Sequence, residues 1–215
     1  MKNLRSSIFA LTTLSLLLGC GGLSSSTGSS SSSCGPKQSS YDTTSSFFLN
    51  ALSAPNSFLT GGYSGGTKMA QSFTPTSNIT VTKVTLPLKA SGNPEGTTVT
   101  VGIYSDFSGA PLTALATGSL LIDMTGGDAN LSTSTVKNIE FSLSSSVALT
   151  SGTLYWIQAT HDPAASDTNR PIWMAKTSNP YSGGGAYGYN TGTTTWVALT
   201  ILATAVDLSF TLKCD

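Results

Sequence analysis

The chain has 215 residues, of which 39% are apolar and only 9% charged, with ten basic residues balancing ten acidic ones. That length supports one domain with a substantial core. Without a leader carrying Lys2 and Arg5, eight basic residues face ten acidic ones; a net charge near −2 gives no general attraction to phosphate backbones and disfavours a nucleic-acid partner.

The first twenty residues follow an export pattern: Lys2 and Arg5, an apolar run from Ile8 to Leu18, and small Gly19 before Cys20. The run is shorter than the roughly 20 apolar residues a permanent spanning helix needs, so it reads as a cleaved leader. Leu17-Leu18-Gly19-Cys20 resembles the lipobox of bacterial lipoproteins. That resemblance implies diacylglyceryl transfer to the Cys20 thiol, the strongest nucleophile among common side chains, and cleavage before it. An ordinary secretory leader or a short membrane anchor is the alternative. Two or three acyl chains would hold the protein firmly to a membrane. Gly21 stands where aspartate retains such proteins at the inner membrane, so the resemblance favours the outer membrane or cell surface.

From Gly21 to Ser33 the chain is almost entirely Ser, Gly and Thr, too poor in apolar surface to offset the entropy of ordering. We expect a tether over residues 20–33, with an r.m.s. span of about 20 Å and a maximum near 50 Å, and a single domain over 34–215. FFLNAL at Phe47 to Leu52 is expected to form at most a turn.

Beyond it, alternating apolar segments are separated by Gly, Pro, Asn, Asp and Ser clusters. Strands are expected at Met69 to Thr74, at Val99, Val101 and Ile103, at Leu115 to Ile122, and at Ile139, Phe141 and Leu143. Further strands are expected at Leu154 to Thr160, Ile172 to Lys176, Ala186 to Asn190, Trp196 to Leu202, and through Val206, Leu208, Phe210 and Leu212. In ITVTKVTLPLK, Ile79 and Val81 lie in one phase and Val84, Leu86 and Leu88 in the other. Only an extra residue near Thr82-Lys83 lets one strand bury both sets, so a bulge or bend is expected there. Pro87 suggests a sheet edge or an outward-facing nitrogen. About nine or ten short strands with turn signals between them indicate an all-β, antiparallel sandwich of jelly-roll type.

Residues Lys68 to Lys213, through AQSFTPTSNITVTKVTLPLK, LTSGTLYWIQA, GGGAYGYNTGTTTW and DLSFTL, resemble the choice-of-anchor domains of bacterial surface proteins. The resemblance implies an extracytoplasmic β-sandwich displayed by an exchangeable anchor and carries over no catalytic residue.

With Cys20 acylated, Cys34 and Cys214 form an even pair bracketing the domain, and a disulfide is expected if the first and last strands are neighbours. Free thiols or an intermolecular bridge are the alternatives.

His161, the only histidine, precedes Asp162, but strand neighbours point to opposite faces. It is in phase with Tyr155, Ile157 and Ala159, which makes a strand-end structural role the expectation. With no GxSxG elbow and one possible base, a hydrolase is disfavoured. No metal-type His/Cys spacing and no cofactor motif is present, although the oxygen-rich loops Gly126 to Asn130 and His161 to Asp167 could supply calcium ligands.

The aromatic residues give the better lead. Trp173, Tyr181, Tyr187, Tyr189 and Trp196 lie within twenty-four residues, and Tyr187 and Tyr189 share a face. Such rings stack on sugars or anchor a partner protein, and equally build sandwich cores. Tyr155 and Trp156 are expected on opposite faces of their strand. The expectations are a binding or adhesion module for a glycan or envelope protein, or a structural envelope lipoprotein with no small-molecule site.

Overall fold

A computed structural model describes residues 32–42, 46–48, 68–94, 96–122, 130–162, 169–178, 181–190, 193–201 and 204–214. Cys20, the leader and nearly all of the tether lie outside the described residues, as do residues 126–129 and 163–167 of the two oxygen-rich loops. The described residues form fourteen strands and no helix.

In chain order the strands are β1 (Ser32–Gln38), β2 (Ser46–Phe48), β3 (Lys68–Phe73), β4 (Ile79–Ser91), β5 (Thr98–Phe107), β6 (Ala110–Leu121) and β7 (Lys137–Leu149). They continue as β8 (Tyr155–Asp162), β9 (Arg170–Thr177), β10 (Ala186–Asn190), β11 (Thr195–Ala198), β12 (Thr200–Ile201), β13 (Thr204–Leu208) and β14 (Phe210–Cys214). All the pairings are antiparallel and make two sheets of eight and six strands.

Within these sheets β2-β9-β4-β7 lie side by side in one and β3-β8-β5-β6 in the other. Apart from the β5–β6 hairpin, the chain changes sheet at every step from β2 to β9. This interleaving is the double Greek key of a jelly roll. The strands expected at Met69, Val99, Leu115, Ile139, Leu154, Ile172 and Ala186 are all present. The total exceeds the expected nine or ten because β1 and β2 were not expected, and because the strands expected from Trp196 and through Val206 to Leu212 are each two, β11 with β12 and β13 with β14.

The core lies between the sheets, with Val81, Val84, Leu86, Leu88, Phe141 and Phe210 meeting Phe73, Val99, Val101, Ile103, Tyr155 and Ile157. In β4 the buried phase switches between Val81 and Val84. Against β14, one step from Lys213 to Cys214 matches two steps from Lys83 to Val81, so Thr82 is the extra residue. Against β7 the surplus lies on the other strand, where Ser142 to Val147 faces Lys83 to Val81.

One local expectation is corrected, and of the two alternatives for Pro87 the sheet edge is excluded. β4 is interior, because β7 pairs along one side while β14 and then β9 pair along the other; Pro87 sits at the handover, after Thr85 pairs with Thr211 and before Leu88 pairs with Trp173. Phe47 and Phe48 belong to a strand rather than a turn, paired with Trp173 and Ile172 of β9.

The first and last strands are neighbours, Ser32 standing opposite Cys214. Four steps of β1 from Ser33 to Lys37 match two of β14, and Gly35 within this bulge has φ +65°, a conformation that favours glycine. Beside it, Cys34 and Cys214 form a disulfide with a Cα–Cα distance of 5.7 Å.

A candidate binding face on the six-stranded sheet

β8 sets the geometry. Tyr155, Ile157 and Ala159 face the core, so Trp156, Gln158 and Thr160 face outward. Registers on both sides extend these positions into rows. One row runs Ala198, Tyr187, Ala70, Gln158, Gly102 and Thr117 across β11, β10, β3, β8, β5 and β6. A parallel row holds Trp196 opposite Tyr189, then Thr160, Thr100 and Ser119, with Lys68 opposite Thr160. A third pairs Ser72 with Trp156 and Trp156 with Tyr104.

The outer face therefore has an aromatic half and a hydroxyl half. Tyr189 meets Trp196 edge-on at 5.4 Å between ring centroids, and the Lys68 ammonium lies 5.5 Å from the Tyr189 centroid. Tyr187 meets Trp156 edge-on at 5.1 Å. Trp156 is only 1% exposed and donates its Nε1–H to Asp106 Oδ1 at 2.7 Å, which fixes the indole as a support for the rings above it. Tyr104, Tyr187, Tyr189 and Trp196 remain partly exposed. Burial pushes the Tyr104 phenol above its ordinary range, so it stays a neutral donor at physiological pH. On the hydroxyl half, Thr100 Oγ1 and Ser119 Oγ are 2.7 Å apart.

Small residues lie between the rings. Ala70 and Gly102 flank Gln158 from the neighbouring strands. A Cβ on Gly102 would meet Tyr104 Cε2 at 3.0 Å and Ala116 O at 2.8 Å, so the Tyr104 ring leans over a position that has no room for a side chain. Five inter-strand spacings of about 4.8 Å make the face about 24 Å wide, the scale of an oligosaccharide rather than of one sugar.

Of the five aromatic residues singled out from the sequence, Tyr187, Tyr189 and Trp196 come together on this face. Trp173 does not. It is fully buried in β9 and donates Nε1–H to Ser209 O at 2.7 Å, so it serves the core and cannot contact a ligand. Tyr181 is also structural: its ring packs edge-on against Phe210, and its hydroxyl accepts the Thr74 N–H at 3.2 Å. Tyr155 and Trp156 take opposite faces as expected, Tyr155 packing toward Phe73 in the core. The spacing in sequence did not reveal Tyr104, Trp156 or Gln158 as members of the face, because β5 and β8 become neighbours of β10 only through β3.

His161 faces inward opposite Val99, and its side chain is buried. Among the described residues no group of three His, Cys, Asp or Glu side chains is arranged to hold a metal ion, and no helix is long and apolar enough to cross a membrane. On the outer side of the larger sheet a groove of about 490 Å³ is lined by Gln38, Tyr41, Thr85, Pro87, Glu140 and Lys213. Its lining includes Tyr41 and Phe210 but no tryptophan. No protein-family model matches the chain, and no curated protein matches it.

Proposed function

We propose that the protein is a lipid-anchored, extracytoplasmic binding module, held at the outer membrane or cell surface through Cys20, that presents the outer face of its six-stranded sheet to a glycan. The observation that carries this reading is convergence. Tyr104, Tyr187, Tyr189 and Trp196 come from three strands and from positions 92 residues apart in sequence, and they meet on the one face of this sheet that the core does not require. Flat rings with polar edges, beside threonine and serine hydroxyls, suit the alternating apolar faces and hydroxyl rims of sugars. The lipobox resemblance and the choice-of-anchor resemblance support surface display. An envelope protein as partner uses the same rings as anchors.

The whole chain, purified in detergent from cells fed an alkyne fatty acid, is to be probed on a glycan array beside Cys20→Ser and Trp196→Ala. We expect label on the wild type and none on Cys20→Ser, and array binding that falls about tenfold or more in Trp196→Ala. An array that is flat for the wild type would instead favour the structural envelope lipoprotein.

A further inference from the structure

Five large apolar side chains are exposed among the described residues, and three of them, Phe107, Leu112 and Leu115, gather in the outer half of the β5–β6 hairpin. Phe107 is 64% and Leu112 61% exposed. Isolated apolar residues on a surface need no explanation, but neighbours on a projecting element do. Phe107 continues the inward phase of Ile103 and Ser105. β8, however, begins at Tyr155, opposite Ser105, so the last two residues of β5 extend beyond it and Phe107 leaves the core. Ser108 and Gly109, with φ of +53° and +81°, close a two-residue turn in which Phe107 pairs with Ala110 and Leu112 stands diagonally across. Leu115 is the extra residue of a bulge, since one step from Ile103 to Tyr104 matches two from Ala116 to Ala114. The one charge at the tip is Asp106, whose Oδ1 accepts from Trp156 and whose Oδ2 accepts the Gly109 N–H at 3.4 Å.

Topology fixes the end of the sandwich from which this tip projects. β3 leads to β4 through residues 74–78 and β7 to β8 through residues 150–154, so the paired residues Phe73 and Tyr155 share an end with the paired residues Ile79 and Leu149. The Gly152 N–H donates to Pro75 O at 2.8 Å and joins the two connections. In the larger sheet, Val81 stands opposite Cys214, and Cys214 opposite Ser32 at the start of β1. The hairpin tip and the point where the chain arrives from Cys20 therefore lie at one end, and the steps from Cys20 to Ser32 reach about 40 Å at most. Both connections at this end are uncharged. Those at the opposite end, from β4 to β5, β6 to β7 and β8 to β9, contain Glu95, Asp123, Asp128 and Asp167 and no basic residue.

We infer that Phe107 and Leu112 make a second membrane contact, the hairpin tip entering the interfacial layer of the bilayer that holds Cys20. This rests on the lipid-anchor reading. The acyl chains supply the affinity, and because they keep the tip close to the surface, the second contact is intramolecular and needs little apolar area. What it supplies is orientation. The sandwich stands on its uncharged end with its acidic end turned away from anionic headgroups, and the outer face of the six-stranded sheet looks along the membrane rather than into it.

The test uses the whole acylated chain in phosphatidylcholine vesicles that contain a phosphatidylcholine doxyl-labelled near its headgroup. With Cys20 acylated and Cys34 bridged to Cys214, Leu112→Cys and Leu121→Cys each offer one free thiol for a fluorophore. The two positions are leucines toward opposite ends of β6, 61% and 62% exposed. We expect the label at position 112 to lose most of its emission to the doxyl lipid and the label at position 121 to keep it, with Phe107→Cys as a second tip position if Leu112→Cys fails to fold. Equal quenching at both ends, or none at the tip, in vesicles with which the protein floats overturns the membrane contact and leaves the anchor standing. A tip label that is shielded yet unaffected by doxyl lipid marks a protein partner or a second copy there and overturns it as well. A wild type that carries no acyl group and does not float removes both readings together.

Discussion

Asp207 is fully enclosed where β13 meets the core, its Oδ1 accepting from Gln71 Nε2 at 3.1 Å and its Oδ2 from the Tyr181 N–H at 2.8 Å. Burial pushes its carboxyl above the ordinary aspartate range, against these two donors. A carboxyl raised in the folded state contributes stability that is complete below its unfolded pKa and is lost as pH rises through the folded value. Asp42 does the opposite. The Lys176 ammonium, the Thr177 N–H and the Thr177 hydroxyl hold its carboxyl far below the usual range, so its contribution is present above the unfolded pKa and is lost as pH falls toward the folded value. In urea titrations from pH 3 to 8, Asp42→Asn should flatten the acid limb of the stability profile and Asp207→Asn the limb above it. Unchanged slopes in both variants would contradict these assignments. Neither role was visible in the sequence, where Asp42 and Asp207 are two of ten acidic residues and their side-chain partners Lys176 and Gln71 lie 134 and 136 residues away.

At the scale of the strand, β4 was the most legible element. Its two apolar phases specified a bulge, and the extra residue is Thr82, whose hydroxyl lies 3.4 Å from Lys213 O. Deleting Thr82 leaves Val81 two residues from Val84, so both stay in phase with the core in a regular strand without the bulge. We therefore expect the deletion to cost less in chemical denaturation than the about 1.5–3 kcal/mol of a valine turned out of the core; a loss of that size would show that the phase switch is made elsewhere. β9 shows why other expectations failed. Residues Arg170 to Ala175 are buried on both faces, so alternation could not reveal which side Trp173 takes. Its pairing with both β4 and the short strand β2 arises from contacts more than 80 residues distant in sequence, beyond the reach of any local pattern. The candidate face was legible only in its β10 and β11 part, where a hairpin brings Tyr189 and Trp196 together from neighbouring sequence.

Over the whole molecule, composition and periodicity sufficed for an antiparallel sandwich, and the bracketing cysteines for its closure. The strand order did not follow from periodicity, because lateral neighbours in a jelly roll are set by which strands change sheet. The Cys34–Cys214 bridge spans 180 residues. Closing a loop of that length restricts the unfolded chain by about 5 kcal/mol in the chain-entropy model, and loss of a native bridge typically costs about 2–5 kcal/mol. Cys34→Ser with Cys214→Ser should therefore lower the unfolding free energy by that amount under oxidising conditions and match the reduced wild type. Equal stability with and without the bridge would mean that β1 pairing alone holds the termini.

The position of that bridge also decides how the molecule bears load. A pull on the segment before Ser32 meets β1 at the end where Ser32 stands opposite Cys214, the geometry in which strands separate one hydrogen bond at a time. Peeling stops two residues in, at Cys34, and the tension passes through sulfur to β14 and then to β4 in the interior of the larger sheet. A strand that would have come away like a zipper becomes a fixed point of attachment for the whole sandwich.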